Sequence, residues 1–395
     1  MKDSTGIDSL MDITQRPDFT IVEGHGCWLV DDGGKRYLDF VQGWAVNCLG
    51  HSPEIIQEAL KKQAATLINC SPAFYNEPMK KLAACLTRQT GLHKVFFTNS
   101  GAEANEGAIK LARKWGSKHR NGAYEMITAK MSFHGRTLAT MSASGKPQFE
   151  PLFEPKVPGF SKVPFNDIEA LRSAISEKTI AVMLEPIQGE GGVIVANDDY
   201  LRFAREITRE RGILLILDEI QTGVARTGKL FAKEHYDVQP DILTLGKGIG
   251  GGVPLAALIA HRDVSCFEHG DQGGTFNGNA LIAAVGLAVM EHVGQPEFLA
   301  HVEAVSTHFV RKLEELAHER KLGEVRGKGL LLALDLNGDI ANDVVKVCLE
   351  KGVLLNAPNA RTLRFMPALN VSVEEVDECV SVLSQVLAEL LSRIS

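Results

Sequence analysis

Short, wholly apolar runs alternating with helical stretches constrain this chain more than any other feature. KVFFT at 94–98 runs into SGAEANEGAIKLARKWG, where Ala104, Ala108, Leu111, Ala112 and Trp115 recur at helical spacing. YEMIT, IAVMLE and ILLIL come next, with a helical pattern from Asp198 to about Arg211 between the last two. A strand with no polar face must be covered on both sides, and helices between such strands are the crossovers that parallel pairing requires. The pattern predicts an α/β fold built on a large, mostly parallel sheet.

After LTLGKGIGGG the period changes. ALIAAVGLAVMEHV and the stretch from about Glu297 to Lys321 read as helices, followed by LLLALDL, a helix from about Ile340, then VLLN, TLRFM and an amphipathic helix from Val373. Few strands among many helices predict a smaller α+β domain. Near the start, GCWLVDDGGKRYLDF holds two β runs around Asp31-Asp32-Gly33-Gly34. A lone hairpin is marginal in water, so this segment is expected to pack on the smaller domain. The 395 residues thus divide into 1–45, a large domain at 46–289 and a small one at 290–395.

The net charge of −7 gives no basic footprint for nucleic acid. The seven cysteines (Cys27, Cys48, Cys70, Cys85, Cys266, Cys348, Cys379) include no CxxC pair, as expected of free thiols in a reducing compartment. MKDSTGIDSLMDITQR has no apolar core and carries acids, and no run reaches the ~18 apolar residues of a membrane span. A cytoplasmic protein without membrane, nucleic-acid or metal partners is expected.

Several residues stand where chemistry is possible. Ser100, Gly101 and Ala102 lie where a strand ends and a helix begins, a place with free amides and positive helix dipole suited to phosphate; the plainer reading of Ser100 is a helix cap. Asp218 comes directly after ILLIL, with Gln221 three residues on, and such a carboxylate is as often a turn cap. Lys247 comes after ILTL among Gly246, Gly248, Gly250, Gly251 and Gly252. Gly246, Gly248 and Gly251 match the dinucleotide fingerprint, but Pro254 and a strand come next instead of a helix, so the match is discounted. Phe133, His134 and Arg136 lie in SFHGRT, Glu185 ends a strand before GEGG, and Gly274 and Thr275 lie in GGTFNGN. A lysine able to form an imine, a carboxylate, a phosphate-ready helix start and an aromatic at the strand ends of one sheet are what pyridoxal phosphate requires.

The chain resembles the class III aminotransferases, a pyridoxal phosphate family with the fold-type I, aspartate aminotransferase-like architecture. The likeness runs from GCWLVDDGGKRYLDF to LRFMPAL and is most specific in SGAEANEGAIKLAR, FHGRT, EPIQGEGG, LDEIQTGVARTGKLFA and PDILTLGKGIGGGVPLAA. The resemblance implies that Lys247 carries pyridoxal 5′-phosphate as an imine, Asp218 pairs with its ring nitrogen, Gln221 meets its phenolic oxygen and Phe133 stacks on the ring. Gly101 and Ala102 would bind the phosphate, with Thr275 reaching that of the neighbouring subunit in a homodimer with shared sites. It further implies that Arg136 holds the donor α-carboxylate, and that Glu185 covers Arg364 until 2-oxoglutarate needs it.

Gly43 stands where ornithine-specific relatives carry a tyrosine, which favours a donor with an acylated α-nitrogen, N2-acetylornithine. Gly274, where relatives usually carry serine, and the large Trp44 bear on donor choice. Ornithine, succinylornithine and 4-aminobutyrate remain alternative donors, and a nicotinamide-dependent oxidoreductase is the alternative from another class.

Overall fold

The computed structural model describes residues 9–392, so the first eight residues of the N-terminal segment lie outside the described residues. The chain opens with β1 (Ile21–His25), β2 (Trp28–Asp31) and β3 (Arg36–Asp39), an antiparallel ribbon. Its expected turn forms because Asp31 Oδ1 accepts the amides of Gly33 and Lys35, each at 2.9 Å.

The large sheet begins with β4 (Lys94–Thr98), β5 (Glu125–Ala129), β6 (Phe160–Val163) and β7 (Thr179–Leu184). After a hairpin of β8 (Ile187–Gln188) and β9 (Ile194–Val195) come β10 (Leu214–Asp218), β11 (Ile242–Leu245) and β12 (Ala256–Ala260). The order is β4-β12-β11-β10-β7-β5-β6, and only β12 runs against its neighbours. The mostly parallel sheet is therefore as the alternation predicts. Successive residues feed opposite faces: Leu215 and Leu217 join one core with Tyr200, Leu201 and Ala204, whereas Leu214 and Ile216 join another with Ala108, Leu111 and Ala112. Helices Gly101–His119 and Asp198–Glu210 thus cover the two sides. The glycine-rich stretch after β11 forms only a short 3₁₀ turn, Lys247–Ile249, before β12, in keeping with the discounted fingerprint.

The helix in ALIAAVGLAVMEHV spans Ala280–Val293 and packs against Glu54–Ala64 and Glu77–Thr90. A second, antiparallel sheet has the order β13-β14-β17-β16, built from β13 (Val325–Lys328), β14 (Leu331–Asp335), β16 (Asn356–Asn359) and β17 (Thr362–Phe365); between them in sequence, β15 (Val353–Leu354) pairs instead with β3. Phe309, on helix Pro296–Arg320, packs edge-on against Phe40 and Phe365, with ring centroids 5.5 and 5.3 Å away. The N-terminal ribbon is thereby joined to the C-terminal part of the chain through backbone, at β15, and through core, at Phe309.

Candidate active site

Because every strand of the large sheet except β12 points the same way, the carboxyl ends of β4, β5, β7, β10 and β11 converge on one edge. A 250 Å³ cavity opens there, lined by Gly101, Ala102, Phe133, Gly135, Arg136, Glu185, Asp218, Gln221 and Lys247, together with His134, Glu190 and Ile220.

Asp218, the last residue of β10, is 4% exposed. Its Oδ2 accepts from Asn105 Nδ2 at 2.7 Å and faces His134 Nδ1 at 2.8 Å, while Oδ1 accepts only the Ile220 amide, at 3.0 Å. Asn105 is itself held by Thr244, whose hydroxyl donates to its Oδ1 at 2.8 Å. Burial opposes a charge on His134, but the hydrogen bond and charge of Asp218 outweigh it and raise the imidazole pKa.

Lys247 begins the 3₁₀ turn with φ of +49°, a left-handed conformation unusual away from glycine. Desolvation lowers its amine pKa from 10.5 to about 8. Gln221 is 7% exposed, and neither its Oε1 nor its Nε2 has a protein partner. A side chain on Gly189 would collide with that amide. At the start of helix Gly101–His119, Ser100 Oγ accepts from the Glu103 amide at 3.2 Å and Glu103 Oε2 accepts from the Ser100 amide at 3.1 Å. Ser100 is therefore a helix cap, outside the cavity lining, whereas Gly101 and Ala102 sit in the first turn, whose amides have no intrahelical partner. A Cβ on Gly101 would come within 2.8 Å of Ile220.

The expected contact between Glu185 and Arg364 does not form. Glu185, the residue after β7, turns back to accept the Phe133 amide at 2.9 Å; burial raises its pKa to about 7. Glu190 takes the place beside Arg364: the β8–β9 hairpin reverses the chain and brings its Oε1 within 2.8 Å of Arg364 Nη2. Its Oε2 lies 3.0 Å from Lys146 Nζ. Burial disfavours the Glu190 carboxylate, yet Arg364 and then Lys146 outweigh it and hold the pKa at about 2. Arg364 is 1% exposed, its Nε donates to Asn356 Oδ1 at 2.9 Å, and its Nη1 has no protein partner.

Arg136 is exposed, with its guanidinium 5.9 Å from the Phe133 ring and 5.5 Å from that of Phe149. Gly274 and Thr275 do not line the cavity; Thr275 is exposed, and the Gly274 carbonyl accepts the Asn277 amide at 3.2 Å. Among the described residues no cluster of His, Cys, Asp or Glu is placed to hold a metal ion. Sequence reading missed Asn105, Lys146 and Glu190. The GEGG loop was a signal for Glu190, whereas Asn105 reads as one more inward position of a helix.

The model of the family described as aminotransferase class-III matches residues 12–387. This chain is a class-III aminotransferase. An acetylornithine aminotransferase from Ralstonia nicotianae is 54% identical over 388 residues, covering 96% of this chain and 97% of the relative. Among solved structures, the ornithine aminotransferase of Toxoplasma gondii ME49 superposes with TM-score 0.94 at 32% identity, covering 98% of this chain and 94% of that one. The N-acetylornithine aminotransferase of Stenotrophomonas maltophilia K279a superposes with TM-score 0.85 at 34% identity, covering 96% and 98%.

The cavity of this class-III aminotransferase fits pyridoxal 5′-phosphate. Gln221 lines the cavity with an unpartnered amide that could meet a polar ring substituent, Asp218 Oδ1 has acceptor capacity left for a ring N–H, and the Gly101 backbone can approach a phosphate closely.

Proposed function

We propose that the protein transfers the terminal amino group of N2-acetyl-L-ornithine to 2-oxoglutarate, giving N-acetyl-L-glutamate 5-semialdehyde and L-glutamate. The observation that carries this reading is the buried Arg364 guanidinium, masked on one nitrogen by Glu190 and without a protein partner on another; it lies behind Glu190, which lines the cavity that holds Lys247, and near enough to that amine to act on its charge. Such a site suits two unlike partners, a donor with no carboxylate beside its reacting amine and an acceptor with one beside its reacting carbonyl. The 54% identity to an acetylornithine aminotransferase supports that donor.

When bound, pyridoxal 5′-phosphate supplies a carbonyl that condenses with amines and a ring that takes up electron density from the substrate carbon. Lys247 Nζ, which burial makes easier to deprotonate, is the base that removes the proton from the carbon bearing the amine and returns it one position along. Asp218 Oδ1 would accept from a protonated ring nitrogen, Phe133 would lie against the ring and Gln221 would meet its oxygen. Gly101 and Ala102 would offer backbone amides to the phosphate. Arg136 binds the donor's α-carboxylate and Arg364 the acceptor's, each able to form a two-point contact.

The working unit is a homodimer with residues 46–289 carrying the cofactor and the described parts of 1–45 and 290–395, residues 9–45 and 290–392, forming the smaller body. Support comes from the exposed Leu67, Ile68, Phe74, Tyr75 and Phe276, at 39, 56, 66, 86 and 61%. Thr275, beside Phe276, would reach a partner's phosphate across such a face. Seven free thiols suit the reducing cytoplasm; no helix among the described residues is long and apolar enough to cross a membrane.

A donor panel with 2-oxoglutarate as acceptor tests the reading. Acetylornithine should give the highest kcat/KM; preference for ornithine, succinylornithine or 4-aminobutyrate reassigns the donor, and no transamination with any of them overturns the function.

A further inference from the structure

Glu190 bridges two cations carried by different parts of the fold. Arg364 comes from β17 and is fixed: it is 1% exposed, and Asn356 holds its Nε at 2.9 Å. Lys146 comes from the loop that leaves helix Leu138–Ala143. That loop is pinned, since the Met131 amide donates to the Gly145 carbonyl at 2.9 Å and the Gly145 amide to the Ser132 carbonyl at 3.0 Å. Beyond Gly145, the Lys146 side chain reaches over Phe133, its Nζ 5.5 Å from the ring centroid, and meets Glu190 Oε2 at 3.0 Å. Glu190 sits at the tip of a hairpin loop with Gly189 before it and Gly191 and Gly192 after it, the last at φ of +108°. Of the three charged groups, the carboxylate is on the segment best able to move.

On the reading of Arg364 as the acceptor's anchor, the incoming carboxylate needs the guanidinium edge that Glu190 occupies. A carboxylate expelled from Arg364 without another cation would be left partly buried beside a second negative charge, an arrangement that a desolvated site penalises heavily. Lys146 already holds the other oxygen of that carboxylate, so Glu190 can leave Arg364 by rotating about a contact it keeps.

We propose that Lys146 is a positioning residue that retains Glu190 when the acceptor's carboxylate takes Arg364, so that Lys146 sets the affinity for dicarboxylate acceptors and leaves the donor step untouched. It touches neither substrate and acts only through Glu190. Removing its charge leaves Glu190 a single partner, clamps it on Arg364 and makes the acceptor compete against a tighter mask.

The two half-reactions separate this role from a structural one. Single-turnover absorbance measurements on purified holoenzyme should show Lys146→Met raising the half-saturating concentration of 2-oxoglutarate roughly tenfold, with its limiting rate and the acetylornithine half-reaction within about twofold of wild type. Lys146→Arg should restore the acceptor affinity. In Glu190→Gln background the effect of Lys146→Met should vanish, the non-additivity of residues that act as one unit. Calorimetric titration with glutarate, which cannot react, should show the same roughly tenfold weakening, and Lys146→Gln serves equally if Lys146→Met does not fold. Equal loss in both half-reactions, no rescue by arginine, or an effect that survives Glu190→Gln overturns the proposal. Wild-type protein that fails to react with acetylornithine and 2-oxoglutarate overturns the functional reading instead.

Discussion

Asn105 and His134 bind the same oxygen of Asp218, at 2.7 and 2.8 Å, and leave the other oxygen with one backbone amide. The carboxylate is thereby fixed in rotation before any ligand arrives, with one acceptor position facing the cavity. In Asp218→Asn the cofactor should still be captured but turnover should fall by several orders of magnitude, because a neutral amide no longer keeps the ring nitrogen protonated as charge develops. Near-normal turnover, measured with the visible spectrum intact, would refute the role.

Asn105→Ala removes one of those donors and leaves a buried carboxylate oxygen short of a partner. A loss of ~1–3 kcal/mol predicts a fall in kcat of about fivefold to 150-fold, and Thr244→Val should give a weaker effect in the same direction. Steady-state kinetics on both variants decides it, since wild-type values for Asn105→Ala would show that His134 alone suffices.

The depressed pKa of Lys247 carries a pH signature. Only the neutral amine attacks a carbonyl, and burial brings half-neutralisation from 10.5 down to about 8. The rate at which apoprotein captures pyridoxal 5′-phosphate should therefore rise with pH and level off above about 8. A rate still climbing steeply toward pH 10 contradicts this. Borohydride reduction of the loaded protein should place the pyridoxyl mass on the Lys247 peptide.

Donor choice is testable at Gly43. Acetylornithine should exceed free ornithine in kcat/KM by at least roughly tenfold, ~1.4 kcal/mol. Gly43→Tyr should narrow that ratio, although φ of +62° at this position also strains any side chain there. Equal specificity constants in the wild type would point to an ornithine aminotransferase.

Arg364→Ala should slow the half-reaction with 2-oxoglutarate far more than that with acetylornithine. Glu190→Gln should shift preference toward donors with a carboxylate beside the reacting amine, an effect that Glu185→Gln should not share. Rapid-mixing spectra of each half-reaction separate these outcomes, and equal slowing of both halves in Arg364→Ala would make the arginine structural.

The sheet was legible because strands buried on both faces leave unbroken apolar runs, and the residues just past each parallel run fall at one edge. Asp218 and Lys247 could be found on that ground alone. Glu185 was placed correctly at a strand end and wrongly beside Arg364, because a hairpin of two-residue strands is too short to leave a period in the sequence. That reversal, invisible to periodicity, delivers Glu190 in its stead. The short edge strand Phe160–Val163, with exposed Ser161, carried no apolar run either. Asn105 was hidden for the opposite reason: it is fully buried among alanines, where a helical pattern predicts packing and gives no reason to look for a hydrogen bond.

Position 247 also sets the fold and its chemistry at odds. A non-glycine residue held at positive φ costs on the order of 1–3 kcal/mol, more than the ~0.5–1 kcal/mol that glycine loses through the freedom of the unfolded chain. With φ of +49°, the apoprotein would therefore be more robust with glycine in place of Lys247, and on the proposed role of this lysine it would be inert. Any search of variants for heat resistance alone would drift toward discarding the amine proposed to carry the cofactor, so thermostability screens on this protein need an activity filter at that codon.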